Sequence, residues 1–455
     1  MNSTPSTPAY CYTISAGLPF LRTLARWILD RHGKTPNTLV SLLILLPNRR
    51  SCRALREAFL AETGGAPLLL PKIQPLGDIE ESALFSYPEV EAALPPTLSG
   101  LRRELLLMRL VRHSNPSYSP PQAAELARQL GKLLDDALRE GVSFDGLASL
   151  VPAELSLHWQ ESLEFLSILS HHWPLILEDE GVIDPVDHRN RMLRTVANAW
   201  RKKPPAHPVI AVGSTGLQPA VAQLLKVIAR LPDSAVIVPG LDQTMPEHEW
   251  DLLSETHPQY ALKQLLTKMD CPRSSVKPLI EERASARDAC LQAILQPPDA
   301  TAHWSQSELP LREGLAGVQL VTAETQSDEA RMIAIAMRET LETPGKTVAL
   351  VTSDRTLARM VTAQLQRFGI EIDDSAGYPL MDTPAATFLR LSADMALSQA
   401  APASLLALLR HPFAGAGRET AQCRRLSREL EISMLRGIRM RSGFAALMDE
   451  PKKHG

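Results

Sequence analysis

Long apolar runs are missing from this chain. The most hydrophobic stretch, Leu39 to Pro47, is far too short to span a bilayer. Aromatic residues make up only 5%, which weakens any reading built on base-stacking platforms. Charge of one sign is not in excess either: 48 Lys and Arg against 51 Asp and Glu leave a net charge of −3. The molecule is therefore no polycation, and contact with nucleic acid would have to come from local basic clusters. The 5 cysteines, Cys11, Cys52, Cys271, Cys290 and Cys423, are odd in number and none is paired at C-x-x-C spacing. That argues against a disulfide framework and against a zinc or iron–sulfur site. The opening segment MNSTPSTPAYCYTISAG has no basic region followed by an apolar one, so no cleaved signal is expected. These absences predict a cytoplasmic protein with no membrane partner.

What is present is an ordinary globular balance, 44% hydrophobic and 22% charged, over 455 residues. At roughly 100–200 residues per domain this length suggests about three domains. The 36 prolines favour many short breaks over long coiled coils. The chain begins like an α/β unit. Tyr10 to Ile14, Val40 to Leu46 and Leu68 to Ile73 are strand candidates, alternating with helical patterns at Phe20 to Arg31 and Arg50 to Leu60. From Leu98 to Arg201 four helical patterns follow one another without a strand. Sheet texture returns at Val209 to Val212 and Ala235 to Val238, with a helix from Pro219 to Arg230 between them. Gln296 to Glu313 reads as a polar linker. A second α/β unit is then expected, with strands at Val318–Thr322, Thr347–Thr352 and Ile370–Ile372 and helices at Asp328–Leu341 and Thr356–Arg367. From Pro384 onward the pattern is helical. Strands alternating with helices predict parallel sheets covered on their faces.

A phosphate-binding loop would sit between the first strand and its helix, where backbone N–H groups, a Lys and a Ser/Thr meet a triphosphate. Laid on Ile14 to Leu21, the pattern G-x-x-x-x-G-K-[ST] puts Phe20 at the Lys position and Leu21 at the Ser/Thr position. Such a loop, with Ser15, Gly17 and Pro19, reads as degenerate, because an apolar pair neither offsets phosphate charge nor ligates a metal. The acidic pair of a nucleotide hydrolase is likewise missing after Val209–Val212. Gly213, Ser214, Thr215 and Gly216 stand there, either an anion-binding nest or a plain turn. Arg49, Arg50, Arg53 and Arg56 cluster after the second strand, as phosphate contacts or as a solvated basic face. The same two readings apply to Arg424, Arg425, Arg428, Arg436, Arg439 and Arg441. His171 and His172 are adjacent and do not converge on a helix, and no metal site is expected. His257, Gln259 and Tyr260 form a compact polar motif without defined chemistry of its own. Asp373 and Asp374 follow a short strand, as a cation site or as an Asx-type turn.

Several segments in order along the chain resemble the AddB family, the partner subunit of the bacterial AddAB helicase–nuclease, in its alphaproteobacterial form. They are LLPNRRSCRALREAF from Leu45, PKIQPLGD from Pro71, IAVGSTG from Ile210, AVIVPGLD from Ala235, HPQY from His257, LVTSDR from Leu350 and DDSAG from Asp373. The resemblance implies a superfamily 1 (UvrD/Rep-like) helicase architecture of two RecA-like domains with helical insertions, the second truncated. Residues 1–97 and 204–300 would form the 1A-like domain and 98–203 an inserted helical 1B-like domain. Residues 301–314 would be a linker, 315–384 the start of a 2A-like domain and 385–455 the start of a helical 2B-like insertion. Arg49, Arg50 and Arg53 would contact DNA, and Arg355 lies slightly beyond the place of the arginine that such folds present to a γ-phosphate. An AddA-like helicase–nuclease subunit would be the partner in a heterodimer, and single-stranded DNA and duplex ends the ligand. The family's iron–sulfur cluster and nuclease magnesium belong to a C-terminal part that this chain lacks, so no cofactor is expected in it. The implied protein is a fragment, a frameshifted product or half of a split gene, unable to cut DNA by the family's route. Two other functions compete with that one: an independently active nucleotide-binding or nucleotide-hydrolysing α/β enzyme, and a partner-binding scaffold that touches no DNA.

Overall fold

The computed structural model of the chain describes residues 10–33, 36–78, 95–144, 165–216, 218–281, 285–298, 300–301 and 308–436, together with Gly443. Two compact units divide between Val318 and Gln319. The first is built on a six-stranded parallel sheet: β1 (Cys11–Ile14), β2 (Leu43–Leu46), β3 (Lys72–Pro75), β4 (Val209–Val212), β5 (Ala235–Pro239) and β6 (Lys277–Pro278), in the order β3-β2-β4-β5-β1-β6.

Both faces of this sheet are apolar, as parallel strands require. Ile14, Ile44, Leu46, Ile210, Val212, Ala235 and Ile237 point to one side, where they meet α1 (Phe20–His32) and α3 (Arg49–Glu62). A short helix, α2 (Pro36–Val40), precedes β2. The alternate residues Cys11, Leu43, Leu45, Val209, Ala211, Val236 and Val238 point to the other side. They meet the helices Pro185–Lys202, Pro219–Ile228 and Tyr260–Lys268. This period of two in wholly apolar runs explains why the strand segments carry no polar alternation. Chain travel from β1 to β2 to β3 uses one face, and the return through β4, β5 and β6 uses the other. The result is a doubly wound layer of generic Rossmann/RecA-like type, as right-handed crossovers dictate.

Among the described residues four α-helices lie between β3 and β4: α4 (Gly100–Ser114), α5 (Pro120–Glu140), α6 (Trp173–Asp179) and α7 (Pro185–Lys202). The first three share a separate core with Leu107, Val111, Leu130, Leu134 and Trp173. Arg103 crosses this layer, 2.8 Å from both Asp135 and Asp184. By contrast α7 gives Met192, Leu193, Val196, Ala197 and Trp200 to the sheet's own core. The short α9 (Glu247–Asp251) stands between β5 and α10 (Tyr260–Lys268), and α10 joins α8 (Pro219–Ile228) and α7 on that core. The unit continues through α11 (Ala286–Ile294) and α12 (Leu311–Gly314).

The second unit departs from expectation. Its helices form: α13 (Gln326–Leu341), α14 (Arg355–Gln366), α15 (Pro384–Leu397), α16 (Pro402–Leu409) and α17 (Thr420–Leu430). The three expected strands at 318–322, 347–352 and 370–372 run without ladder pairing, and the described residues of this unit contain no strand. Leu350 and Ile370 pack against the pair α13 and α14, on Ala330, Ala334, Leu357, Val361 and Leu365. On the opposite side Leu320 and Val351 are each 94% exposed. A parallel ladder needs cover on both faces, and here helices supply one. Among the described residues no helix is long and apolar enough to cross a membrane.

Candidate functional site at the carboxyl edge of the sheet

In a doubly wound sheet, crevices open at the carboxyl ends of adjacent strands whose connections leave to opposite faces. Two such places exist here. One lies between β1 and β5, the other between β2 and β4.

The first crevice is a cavity of about 560 Å³. It is lined by Thr13, Ser15 and Ala16 of the β1 turn, Gly240 to Met245 after β5, His257 and Gln259 before α10, and residues of α11. Its polar groups are almost all engaged with one another. The Gln259 side chain donates to the Gly240 carbonyl at 2.8 Å and accepts from the Asp242 N–H at 3.1 Å. His257 Nδ1 accepts from the Gln259 N–H at 3.0 Å, and its Nε2 meets the Leu295 carbonyl. One Asp242 oxygen accepts from Thr244 N, Thr244 Oγ1 and Met245 N, each at 2.9 Å. Thr13, 3% exposed, accepts from Leu241 N at 3.0 Å and donates to the Val238 carbonyl at 3.1 Å. Asp288 caps α11 through Ser285, at 2.7 Å. Among the described residues the lining holds Asp242, Glu281 and Asp288 and no Lys or Arg, a field that disfavours phosphate.

The loop after β1 is equally unsuited to a triphosphate. Gly17 keeps an ordinary negative φ, and a Cβ there would meet nothing nearer than Ser15 Oγ at 3.9 Å, so no close backbone approach needs the glycine. Pro19 stands at the N-cap of α1, while Phe20 and Leu21 are half-buried and pack against the core between the sheet and α1 and α3.

At the second crevice Gly213 takes a φ of 71°, and a Cβ there would lie 3.6 Å from Pro47 and 4.0 Å from the Phe20 ring. The turns after β1, β2 and β4 therefore meet through Phe20, Pro47 and Gly213. Where a nucleotide fold would extend an ammonium group, this one places the half-buried Phe20 ring. Gly216, at φ 56°, is pressed against Leu265, whose Cδ1 would be 2.3 Å from an added Cβ. Its N–H goes to Ser214 Oγ at 3.2 Å, and the Gly213 N–H goes to the Ile237 carbonyl at 2.9 Å. Of the two readings of Gly213, Ser214, Thr215 and Gly216, the packed turn describes these contacts.

Next to Pro47, Asn48 caps α3 by accepting from Ser51 N at 2.8 Å. The first turn of α3 carries Arg49 and Arg50 and no acid, which sets two guanidinium groups at the positive end of the helix dipole. Arg49, Arg50 and Arg53 are exposed. Arg56 belongs to the scaffold, since its Nη2 donates to the Ile73 carbonyl at 3.1 Å.

The remaining candidates lie elsewhere. In the second unit Arg355 grips Asp374 through two bonds of 3.0 and 2.6 Å, and Asp374 also accepts from Ala376 N at 2.9 Å. That is an Asx-type turn closed by an ion pair. Asp373 stands beside it without joining a group able to hold a metal, and no such group exists among the described residues. Tyr260 begins α10 and packs on the sheet's core. Arg424, Arg425 and Arg428 are exposed on α17, Arg436 pairs with Glu431 at 3.2 Å, and Arg439 and Arg441 lie outside the described residues. His171 Nδ1 bonds Ser170 Oγ at 2.7 Å and does not converge with His172 on a ligand.

Thus the fold brings Ser15, His257 and Gln259 to one crevice and Phe20, Gly213 and the arginines to the other. Sequence reasoning passed over Thr13, Gly240, Asp242 and Gln292. The usable signal was the run Gly240-Leu241-Asp242 at the carboxyl end of a buried strand, a position that faces a crevice in this class of fold. A scan of the chain against protein-family models finds no match, and a search of curated proteins finds no relative.

Proposed function

We propose that this chain is the catalytically degenerate, helicase-like part of an AddB-type subunit, which guides single-stranded DNA beside an AddA-like motor during double-strand break repair. In this reading the first unit is a RecA-like 1A domain with a helical insertion, and the second unit begins its 2A counterpart. One observation carries the proposal: the two crevices differ in what they offer a ligand. The crevice between β1 and β5 is stitched by its own amides and carboxylates, with Phe20 and Leu21 partly buried against the core. The one between β2 and β4 bears Arg49, Arg50 and Arg53 on an exposed helix start. A strand is then held by phosphate contacts and no fuel is burned.

Salt titration of single-stranded DNA binding tests this. Each phosphate contact adds about 0.7 to the slope of log K against log salt for a single strand. Replacing Arg49, Arg50 and Arg53 together by Ala should therefore flatten the slope by about 2. Equal slopes for the variant and the parent protein would remove the proposal. The competing hydrolase reading has in its favour the ligand-sized volume of the first crevice, about 560 Å³. ATP turnover by the purified chain, lost on altering Ser15 to Pro19, would establish that reading instead.

A further inference from the structure

Aromatic side chains are scarce in this chain, yet four rings gather on one cavity of the helical layer between β3 and β4. The cavity holds about 530 Å³, and its walls carry His113, Tyr118, Phe165 and His172. Both histidines are exposed, so the cavity is reached from solvent. Tyr118 and Phe165 are half-buried and pack on the core that holds Leu107 and Val111, which fixes their rings.

Local sequence explains the gathering. At the end of α4, Asn115 turns the chain by accepting from Ser117 N at 3.0 Å and Ser117 Oγ at 2.6 Å. A backbone bond of 3.3 Å from Tyr118 N to the Asn115 carbonyl closes that turn and delivers Tyr118 to the cavity. Asn115 also lines the cavity, and with its side-chain oxygen engaged its NH2 group is the donor left for a ligand. On another wall the chain widens to a single π-turn, Ile168–His172, where the Trp173 N–H reaches back to the Ile168 carbonyl. Ser167, Ile168 and His172 all line the cavity from this turn. Such turns are rare, and they recur at functional sites.

Charge narrows the class of ligand. Among the described residues no carboxylate lines the cavity. Arg109 and His113, four apart on α4, are neighbours on one face, and Arg112 lies three beyond Arg109. Arg102 and Arg103 of the same helix are held by Glu180, Asp135 and Asp184. Arg109 and Arg112 are instead exposed and join no ion pair among the described residues. Rings beside unpaired guanidinium groups suit a flat heterocycle that carries phosphate next to it.

We propose that this cavity takes one nucleobase of a single strand, stacked against Tyr118 and Phe165, with the neighbouring phosphates on Arg109 and Arg112. The inference rests on the reading of the chain as a guide for single-stranded DNA. To the phosphate contacts of α3 it adds a hold on a base, at a place outside the sheet. Every base has a flat face, so this hold is tolerant of sequence.

The test uses the full chain and two oligonucleotides of equal length and charge, one of thymidine and one whose sugars bear no bases. Fluorescence anisotropy should show the thymidine strand bound about 5- to 150-fold more tightly, the range that stacking of one base supplies. Tyr118→Ala should bring that ratio close to one, and Tyr118→Phe should keep it. In the parent chain, irradiation with an iodouracil-bearing strand, followed by digestion and mass spectrometry, should place the adduct on Tyr118, Phe165 or the two histidines. Equal affinity of the parent for the two strands overturns the proposal, and so do adducts confined to other residues. Both readouts come from the unaltered chain and do not depend on whether a variant folds. Failure of the guiding role shows itself differently, as equal salt slopes for the parent and the Arg49, Arg50 and Arg53 variant. A thymidine preference with adducts on Tyr118 would stand even then.

Discussion

Phe20 occupies by packing the position that nucleotide chemistry would give to Lys. Its ring approaches Gly213 and packs, half-buried, against the core shared with α1 and α3. Restoring the missing group would thus remove a structural one. Phe20→Lys should lose about 2 kcal/mol of stability, part of the 3–5 kcal/mol typical of a large core truncation, and should gain no ATP binding. A denaturant midpoint and a nucleotide titration on the same sample check both halves. Gln259 is the second telling residue. Its amide closes Gly240 to Asp242 across the mouth of the first crevice. Gln259→Ala leaves a carbonyl and an N–H without that partner, at a cost of about 1–3 kcal/mol. The midpoint of chemical unfolding should fall while the salt dependence of DNA binding stays as it was. A shift in that salt dependence with no loss of stability would make the HPQY segment a ligand contact instead of a staple.

At the scale of elements, α14 shows how an end is held and how pH acts on it. Asp354 caps this helix by accepting from Thr356 N at 2.7 Å and Leu357 N at 3.2 Å. Those backbone bonds, Leu357 first and Thr356 next, hold its carboxyl below the ordinary value of 3.8. The folded state thus binds the proton more weakly than the unfolded one. The cap's contribution is fully present above the unfolded pKa and is lost as pH falls through the lower folded value. Asp354→Asn keeps a capping oxygen and abolishes the titration. Its stability should therefore change less than that of the parent between pH 5 and pH 2, as thermal unfolding followed by circular dichroism would record. Element identity was largely legible beforehand: β1, β2, β4 and β5 are short apolar runs, and α1, α3, α13 and α14 show helical spacing. Register was not. The third strand was expected at Leu68 to Ile73, yet pairing of Leu43 with Lys72 and Leu46 with Pro75 sets it later in the chain. Its closing proline is tolerated because β3 is an edge strand. Local pattern also could not show that Gln259 would meet Gly240, since that contact exists only after the sheet has been wound.

For the whole molecule, the contrast between its two units follows from how each covers its apolar surface. In the first, α1 and α3 on one side and α7, α8 and α10 on the other bury every central strand. A chain ending after Val318 retains all of those contacts, so it should unfold in one cooperative step with the same midpoint as the sheet-bearing transition of the full chain. The second unit has the helices of an α/β layer, but its extended segments are apolar on a side that nothing in the unit covers. Val348 and Leu350 lean inward, Ala349 and Val351 face out, and Leu320 is exposed as fully as Val351. An uncovered apolar surface with unpaired backbone beside it attracts other chains. The full protein should therefore bind an apolar dye such as ANS and self-associate as its concentration rises. Leu320→Glu together with Val351→Lys should suppress both effects. Because both side chains point away from the helix pair, each substitution should alter stability by no more than about 0.5 kcal/mol. Sedimentation velocity and dye fluorescence on the parent and the double variant decide the point. Unchanged association would place the adhesive surface elsewhere, and a collapse of helix content would mean that these residues already support the core of α13 and α14.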